Sequence, residues 1–245
     1  MKIGLAVGIF LICIAAALTI QRWQSRPPAH IGLAIDASGS VKRNCAGVMK
    51  EAEAAIKKEG VQRGSTLTVL GIGESRANRE PTVLFDRAIP IEEDGVFGKE
   101  DGAYARERDG FLAAALKACE AERSSSDSPI LALVQRSVEH LRSRGCGTRG
   151  GSDGCLLLVH SDLAEDVDPR LRRAITRAIL KPAAEVPSEL VGVIDNSRIA
   201  VAFVGTSEVA TRRSEKRAGP DTLTRLWSKL FTHPELVSFK PFAGQ

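Results

Sequence analysis

A chain of 245 residues, 43% hydrophobic and 26% charged, can bury one large core and excludes a disordered or fibrous protein. Its 34 basic and 30 acidic residues leave a net charge of only +4, with no electrostatic case for nucleic acid, so no nucleic-acid partner is expected. Aromatics are 4% of the chain, and packing falls to Leu, Ile, Val and Ala.

The strongest departure from globular composition comes first. From Ile3 to Ile20 every residue is apolar or small except Thr19, and none is charged. At 1.5 Å per residue such a run reaches roughly 27 Å as a helix, enough to cross a hydrocarbon core with little tilt. Lys2 supplies a positive start, and Arg22, Trp23 and Arg26 stand where interfacial anchors belong. Residues 1–23 therefore read as a transmembrane anchor or a signal peptide. Ala15, Ala16 and Ala17 offer a small-x-small cleavage site, but the apolar run continues past them, which favours an uncleaved anchor. Cys13 does not make a lipoprotein signal, because Ile12 stands where a small residue is needed. Residues 24–30, with Pro27-Pro28, form a stiff linker, and residues 31–242 form the domain.

Ile31 to Ile35 reads as a short strand buried on both faces, ending at Asp36-Ala37-Ser38-Gly39-Ser40. From Val41 to Lys58 the apolar residues Val41, Cys45, Val48, Met49, Ala52, Ala55 and Ile56 fall on one helical stripe, which Gly60 ends. Thr66 to Ile72 and Pro81 to Phe85 read as two more strands, and Arg87 to Arg108 as an irregular surface excursion. Asp109 is expected to cap a helix through Leu112, Ala115, Leu116 and Cys119. After the polar turn Ser124 to Ser128, Pro129 suits the first position of a helix to Arg144. Cys155 to Val159 is another buried strand, followed at once by His160-Ser161-Asp162. Asp168-Pro169 opens a helix to Leu180, Arg198 to Val204 forms a strand, and Asp221 is expected to cap a last helix through Phe231. Strands alternating with helices give an α/β fold with a mostly parallel central sheet flanked by helices.

Outside the apolar run lie Cys45, Cys119, Cys146 and Cys155, an even number such as an oxidising compartment allows. Cys146 and Cys155 flank a Gly-rich stretch and are disulfide candidates; four buried free thiols are the alternative. No pair is spaced CxxC, which argues against zinc. The positive residues flanking the apolar run are nearly balanced, so the cysteines place the domain on the periplasmic or extracytoplasmic side.

Two acids, Asp36 and Asp162, fall at the carboxyl ends of two strands, where open α/β sheets bind ligands. Asp36, Ser38 and Ser40 offer one carboxylate and two hydroxyls on a turn, hard oxygens that suit Mg²⁺ or Mn²⁺. An N-capping turn is the plainer alternative. In this setting Ile-Asp-Ala-Ser-Gly-Ser resembles the opening motif of the metal-ion-dependent adhesion site (MIDAS) of von Willebrand factor A (vWA) domains. The likeness runs from Ile31 to about Phe242, with Leu226-Trp227-Ser228-Lys229-Leu230-Phe231 similar to the closing helix of many bacterial members. It implies a three-layer, Rossmann-like fold and makes Asp162 the later acidic ligand. Leu163 replaces the usual following glycine. The family's threonine before a helix has no match; Ser128 takes that place, with Ser126 and Asp127 as competitors.

That resemblance implies binding without bond-breaking, in which a protein partner supplies an acidic residue to the metal. A metal-dependent hydrolase on a similar sheet and a structural domain with a degenerate metal site are the alternatives. Against an enzyme, the chain has no G-x-S-x-G elbow and no G-x-x-x-x-G-K phosphate loop. His160 beside Asp162 reads as structural. The helix with Arg170, Arg172, Arg173, Arg177 and Lys181 reads as a solvated basic face.

Overall fold

The computed structural model describes residues 29–36, 44–59, 64–72, 81–91, 102–121, 128–147, 154–181, 185–205, 209–210, 217–218 and 220–240. The apolar run expected as an anchor lies outside these residues. Among the described residues no helix is long and apolar enough to cross a membrane.

The strands are β1 (His30–Ile35), β2 (Thr66–Ile72), β3 (Pro81–Ala88), β4 (Cys155–His160), β5 (Ile199–Val204), β6 (Val209–Ala210), β7 (Arg217–Ala218) and β8 (Val237–Lys240). The helices are α1 (Cys45–Glu59), α2 (Gly102–Ala121), α3 (Ile130–Ser143), α4 (Pro169–Leu180) and α5 (Pro220–Ser228). Six strands form one sheet in the order β3-β2-β1-β4-β5-β8, and β6 pairs with β7 apart from it. Every neighbouring pair in the large sheet is parallel except β2 and β3.

From β1 the chain moves outward through β2 to β3, and from β4 it moves the other way to β5 and β8. The order of strands therefore reverses between β1 and β4, which are hydrogen-bonded neighbours. All of β1 and β2 is buried, as befits largely apolar strands covered on both faces, whereas the edge strand β3 buries only Phe85 of its eight residues.

Helices cover both faces. On one, Ile31, Leu33 and Ile35 of β1 pack with Val48, Met49 and Ala52 of α1 and with Phe111 and Ala115 of α2. On the other, Ala34 packs among α3, α4 and α5. Gly32 of β1 lies under α3, where an added Cβ would stand 3.1 Å from Leu157 and 3.3 Å from Leu141. Its small size lets the helix settle close to the strand. Phe203 of β5 gathers the C-terminal aromatics, stacked on Phe239 at 4.8 Å and tilted against Trp227 at 5.5 Å.

Several boundaries differ from the sequence expectation. Helix α1 begins at Cys45 rather than Val41, because Asn44 caps it: the Gly47 N–H donates to Asn44 Oδ1 at 2.9 Å. Helix α2 begins at Gly102, so Asp109 lies within it and caps nothing. Ala103, Ala105 and the Arg and Glu residues between them and Asp109 are good helix formers, and the charge of that stretch disguised a solvent-facing helix as an excursion. The third strand continues to Ala88, paired antiparallel with β2. Asp221 falls in the first turn of α5, which ends at Ser228. Strand β8 was not anticipated; it is four residues long, follows a 3₁₀ turn and pairs parallel with β5.

Two disulfides cross-link the chain. Cys45 bonds Cys119 across a sequence separation of 74, and Cys146 bonds Cys155 across 9. By loop-closure entropy the shorter one stabilises by about 2.7 kcal/mol. Urea unfolding of a Cys146→Ala/Cys155→Ala variant should show a loss of that order. A loss below about 0.5 kcal/mol would mean the turn after α3 is held by packing alone.

Candidate functional site

Open α/β sheets bind ligands in a crevice where strand order reverses, which here is at the carboxyl ends of β1 and β4, and an acid lies just past each strand. Asp36 follows β1 directly and is fully buried; Asp162 stands two residues beyond β4 and is 7% exposed. The β1–β4 ladder pairs Ile35 with His160. The Asp36 N–H then donates to the His160 carbonyl at 2.9 Å, carrying the pairing one step past the strand.

Ser161 joins Asp36 to the turn that carries Asp162. Its hydroxyl donates to Asp36 Oδ2 at 3.0 Å and accepts from the Leu163 N–H at 2.9 Å. The Asp162 carboxylate closes its own turn, with Oδ1 accepting from the Ala164 N–H at 2.9 Å, which leaves its second oxygen for another partner. Leu163, between these bonds, has φ +66, a left-handed conformation rare for a branched residue. It costs about 1–2 kcal/mol. Two contacts offset that cost: the Leu163 side chain is buried, and its carbonyl accepts from Trp227 Nε1 at 3.3 Å. The backbone thus takes a conformation suited to glycine although glycine is absent.

The loop before α3 is tied to the same place. Glu165 is 2% exposed, and its Oε2 accepts from the Leu131 N–H at 2.7 Å, capping α3 from another part of the chain. Its Oε1 accepts from the Val167 and Asp168 N–H groups at 2.7 and 2.9 Å. The Asp166 N–H donates to the Ser128 carbonyl at 3.2 Å. Ser128 is fully buried, and its hydroxyl has no hydrogen-bond partner among the described residues. Such an unsatisfied group costs about 1–3 kcal/mol.

Of the five expected ligands, the structure therefore sets Asp36 and Asp162 at adjacent strand ends and ties the Ser128 loop to the Asp162 loop. Ser38 and Ser40 lie outside the described residues, as do the competitors Ser126 and Asp127. Among the described residues no three His, Cys, Asp or Glu side chains cluster as a metal site. Two carboxylates and a buried hydroxyl nevertheless fit a hard divalent cation in chemistry, with hydroxyls making up the set.

Ser161, Glu165 and Asn44 were not among the expected site residues. Ser161 carried a signal in the sequence, since it stands between a strand end and an acid. Glu165 carried none, because its partner Leu131 is 34 positions away.

No protein-family model matches the chain, and no curated protein matches it. Among solved structures it is similar to the pilus adhesin SpaC from Lactobacillus rhamnosus GG, with 10% identity and a TM-score of 0.49 over 88% of this chain and 28% of that one. It is also similar to a von Willebrand factor type A structure from Catenulispora acidiphila, with 12% identity and a TM-score of 0.47 over 88% and 38%. A third is proximal thread matrix protein 1 from the mussel byssus with a zinc-occupied MIDAS motif, at 12% identity and a TM-score of 0.41 over 89% and 45%. The chain spans less than half the length of each.

Burial pushes the Glu165 carboxyl above its usual value of 4.5, against the pull of its N–H donors from Leu131, Asp168 and Val167. The folded protein therefore holds this proton more tightly than the unfolded chain does. The stability due to this group is present below the usual glutamate value and is lost as pH rises through the raised one. Asp168, where burial pushes the carboxyl up but the hydrogen bonds from Arg170 and Leu171 together outweigh it and lower it, acts in the opposite sense at lower pH. The difference in unfolding free energy between wild type and Glu165→Gln isolates the first effect. It should fall as pH rises from about 4.5 and then level off; parallel pH curves would contradict the assignment.

Proposed function

We propose that the chain is a vWA-type binding domain that takes Mg²⁺ or Mn²⁺ at the β1/β4 crevice and uses it to hold a protein partner. The observation that carries this reading is the pair of buried acids just past the two strands where strand order reverses, with a buried hydroxyl, unpartnered among the described residues, on the loop tied to that of Asp162. Asp36, Ser38, Ser40, Ser128 and Asp162 would hold the cation. When bound, it would supply an electrophilic position for an acidic residue of the partner. The chain's own residues do the rest. Ser161 fixes the Asp36 carboxylate, the Ala164 N–H fixes that of Asp162, and Glu165 holds the Ser128 loop to the Asp162 loop. Neutral hydroxyls leave the two acids as the site's charge, so the cation keeps affinity for a third carboxylate. No bond-breaking step belongs to this reading.

Residues 1–23 would tether the domain to a membrane on its extracytoplasmic side, where both disulfides form and persist. The tether would reach the sheet at the amino end of β1, at His30. The crevice lies at the other end, about 20 Å along the strand.

Thermal unfolding with EDTA, Mg²⁺ and Mn²⁺ tests the reading. At a concentration ~100 times the dissociation constant, metal should stabilise by about 2.7 kcal/mol, a shift of roughly 5–11 °C for a domain of this size. Asp36→Ala should abolish the shift. Equal melting under all three conditions in wild type would count against the metal site and favour a structural domain with a degenerate one.

A further inference from the structure

Beneath α3, away from the crevice, the chain gathers a second set of ionisable side chains. His30, the first residue of β1, shares the α3 face of the strand with Gly32 and Ala34. It is 5% exposed, and its Nδ1 is hydrogen-bonded to Thr66 Oγ1 of β2 at 2.9 Å. Thr68, on the same face of β2, donates its hydroxyl to Asp86 Oδ1 of the edge strand β3 at 3.0 Å. The other oxygen, Asp86 Oδ2, accepts from the guanidinium of Arg144, which follows the last residue of α3. His140 of α3 brings its Nε2 to 3.5 Å from that oxygen. This nitrogen is buried and has no hydrogen-bond partner among the described residues. The carboxylate of Asp86 thus joins β2, β3 and α3, with His30 of β1 within reach of its charge.

The charges in this cluster balance only while both histidines are neutral. Asp86 and Arg144 cancel, and both carboxylate oxygens are already engaged. A proton on His30 or His140 would leave a net positive charge under the helix, and no second acid faces it among the described residues. The other charged groups of the packed elements are engaged elsewhere. Arg136 of α3 pairs with Glu139 at 3.4 Å on the solvent side, Arg142 pairs with Asp195, and the Arg87 guanidinium of β3 lies over the Phe85 ring. From β4 the face offers Cys155 and Leu157, which carry no charge. An uncompensated charge in such a place is costly.

The titration of the two rings agrees with that count. Burial lowers both below the usual histidine value of 6.5; Arg144 adds to the lowering in each, and Asp86 opposes it. The folded protein therefore holds these protons less tightly than the unfolded chain does. Stability due to the pair is present above the usual value and is lost as pH falls toward the lowered ones.

We propose that His30, His140, Asp86 and Arg144 form an acid-sensitive latch, which fastens α3 to the edge strand β3 at neutral pH and loosens when the histidines take up protons. The latch sits at the opposite end of α3 from Glu165, whose carboxylate accepts from the Leu131 N–H in the first turn. The two ends of one helix thus respond to pH in opposite senses. Because Cys146–Cys155 ties the turn after α3 to β4, loosening is confined to the side that faces β3. The inference is independent of metal binding at the crevice.

Amide exchange of the full chain in detergent, compared at about pH 7.5 and about pH 5 after correction for intrinsic rates, reads the latch. Opening at residues 82–88 and 137–144 should rise about tenfold or more on acidification. Residues 156–160 and 200–204, in the central strands, should keep their protection within about twofold. Two variants separate the histidines from a general effect of acid. His30→Asn/His140→Gln keeps a polar group at each place and should lose the acid response. Arg144→Gln removes the competing cation, so a protonated histidine can pair with Asp86, and the response should shrink or reverse. Equal opening across the sheet in wild type overturns the proposal, as does a response that survives in His30→Asn/His140→Gln or is unchanged in Arg144→Gln. Should the double variant fail to fold, the ring proton resonances of wild type give the answer. His30 and His140 should titrate below the usual histidine value, and titration at or above it overturns the latch.

Discussion

The hydrogen bond from the Asp36 N–H to the His160 carbonyl, one step past the end of the β1–β4 ladder, is the constraint on which the crevice depends. Parallel pairing in register brings both strands to their carboxyl ends at the same level. This last bond holds the chain there for one more residue before it diverges into helices on opposite faces. Asp36 is thereby set beside Ser161, close enough for the hydroxyl to bond its carboxylate at 3.0 Å. Without that register, two acids 126 positions apart in sequence would have no common site.

Around this constraint the chain accepts local costs that packing offsets. Leu163 holds a left-handed backbone that disfavours any branched residue. Its side chain contributes burial in return, and Trp227 of α5 bonds its carbonyl. Glu165 is buried in a way that raises its proton affinity, yet three backbone N–H groups need its oxygens. Both residues serve the short stretch between β4 and α4, which must turn sharply while presenting Asp162 and bracing the Ser128 loop. Strain and buried charge concentrated in one connection are characteristic of functional loops.

The layered α/β architecture was legible because buried parallel strands advertise themselves as apolar runs. Ile31 to Ile35, Thr66 to Ile72 and Cys155 to Val159 each appear in the sheet within a residue of expectation. What the sequence hid is long-range or marginal. The short β8 acquires strand character from pairing with β5 and from Phe239 stacking on Phe203. The start of α2 was masked by charge on a helix whose outer face is solvated, and Asp109 looked like a cap only because of that. At the crevice, Asp36 and Asp162 could be read from their places after apolar runs. The roles of Ser161 and Glu165 could not, since each depends on a partner that only the folded chain brings near. The link between Cys45 and Cys119 likewise follows from α1 and α2 sharing one face of the sheet.

The most direct measurement is the stability of Ser128→Ala in EDTA and in saturating Mg²⁺. A buried hydroxyl with no partner among the described residues burdens the metal-free fold, so in EDTA the variant should match or exceed wild type by about 1 kcal/mol. With Mg²⁺ the order should reverse, as wild type gains stability and the variant gains little. A variant less stable than wild type in EDTA, with its full response to Mg²⁺ retained, would show that the hydroxyl serves the fold and holds no cation.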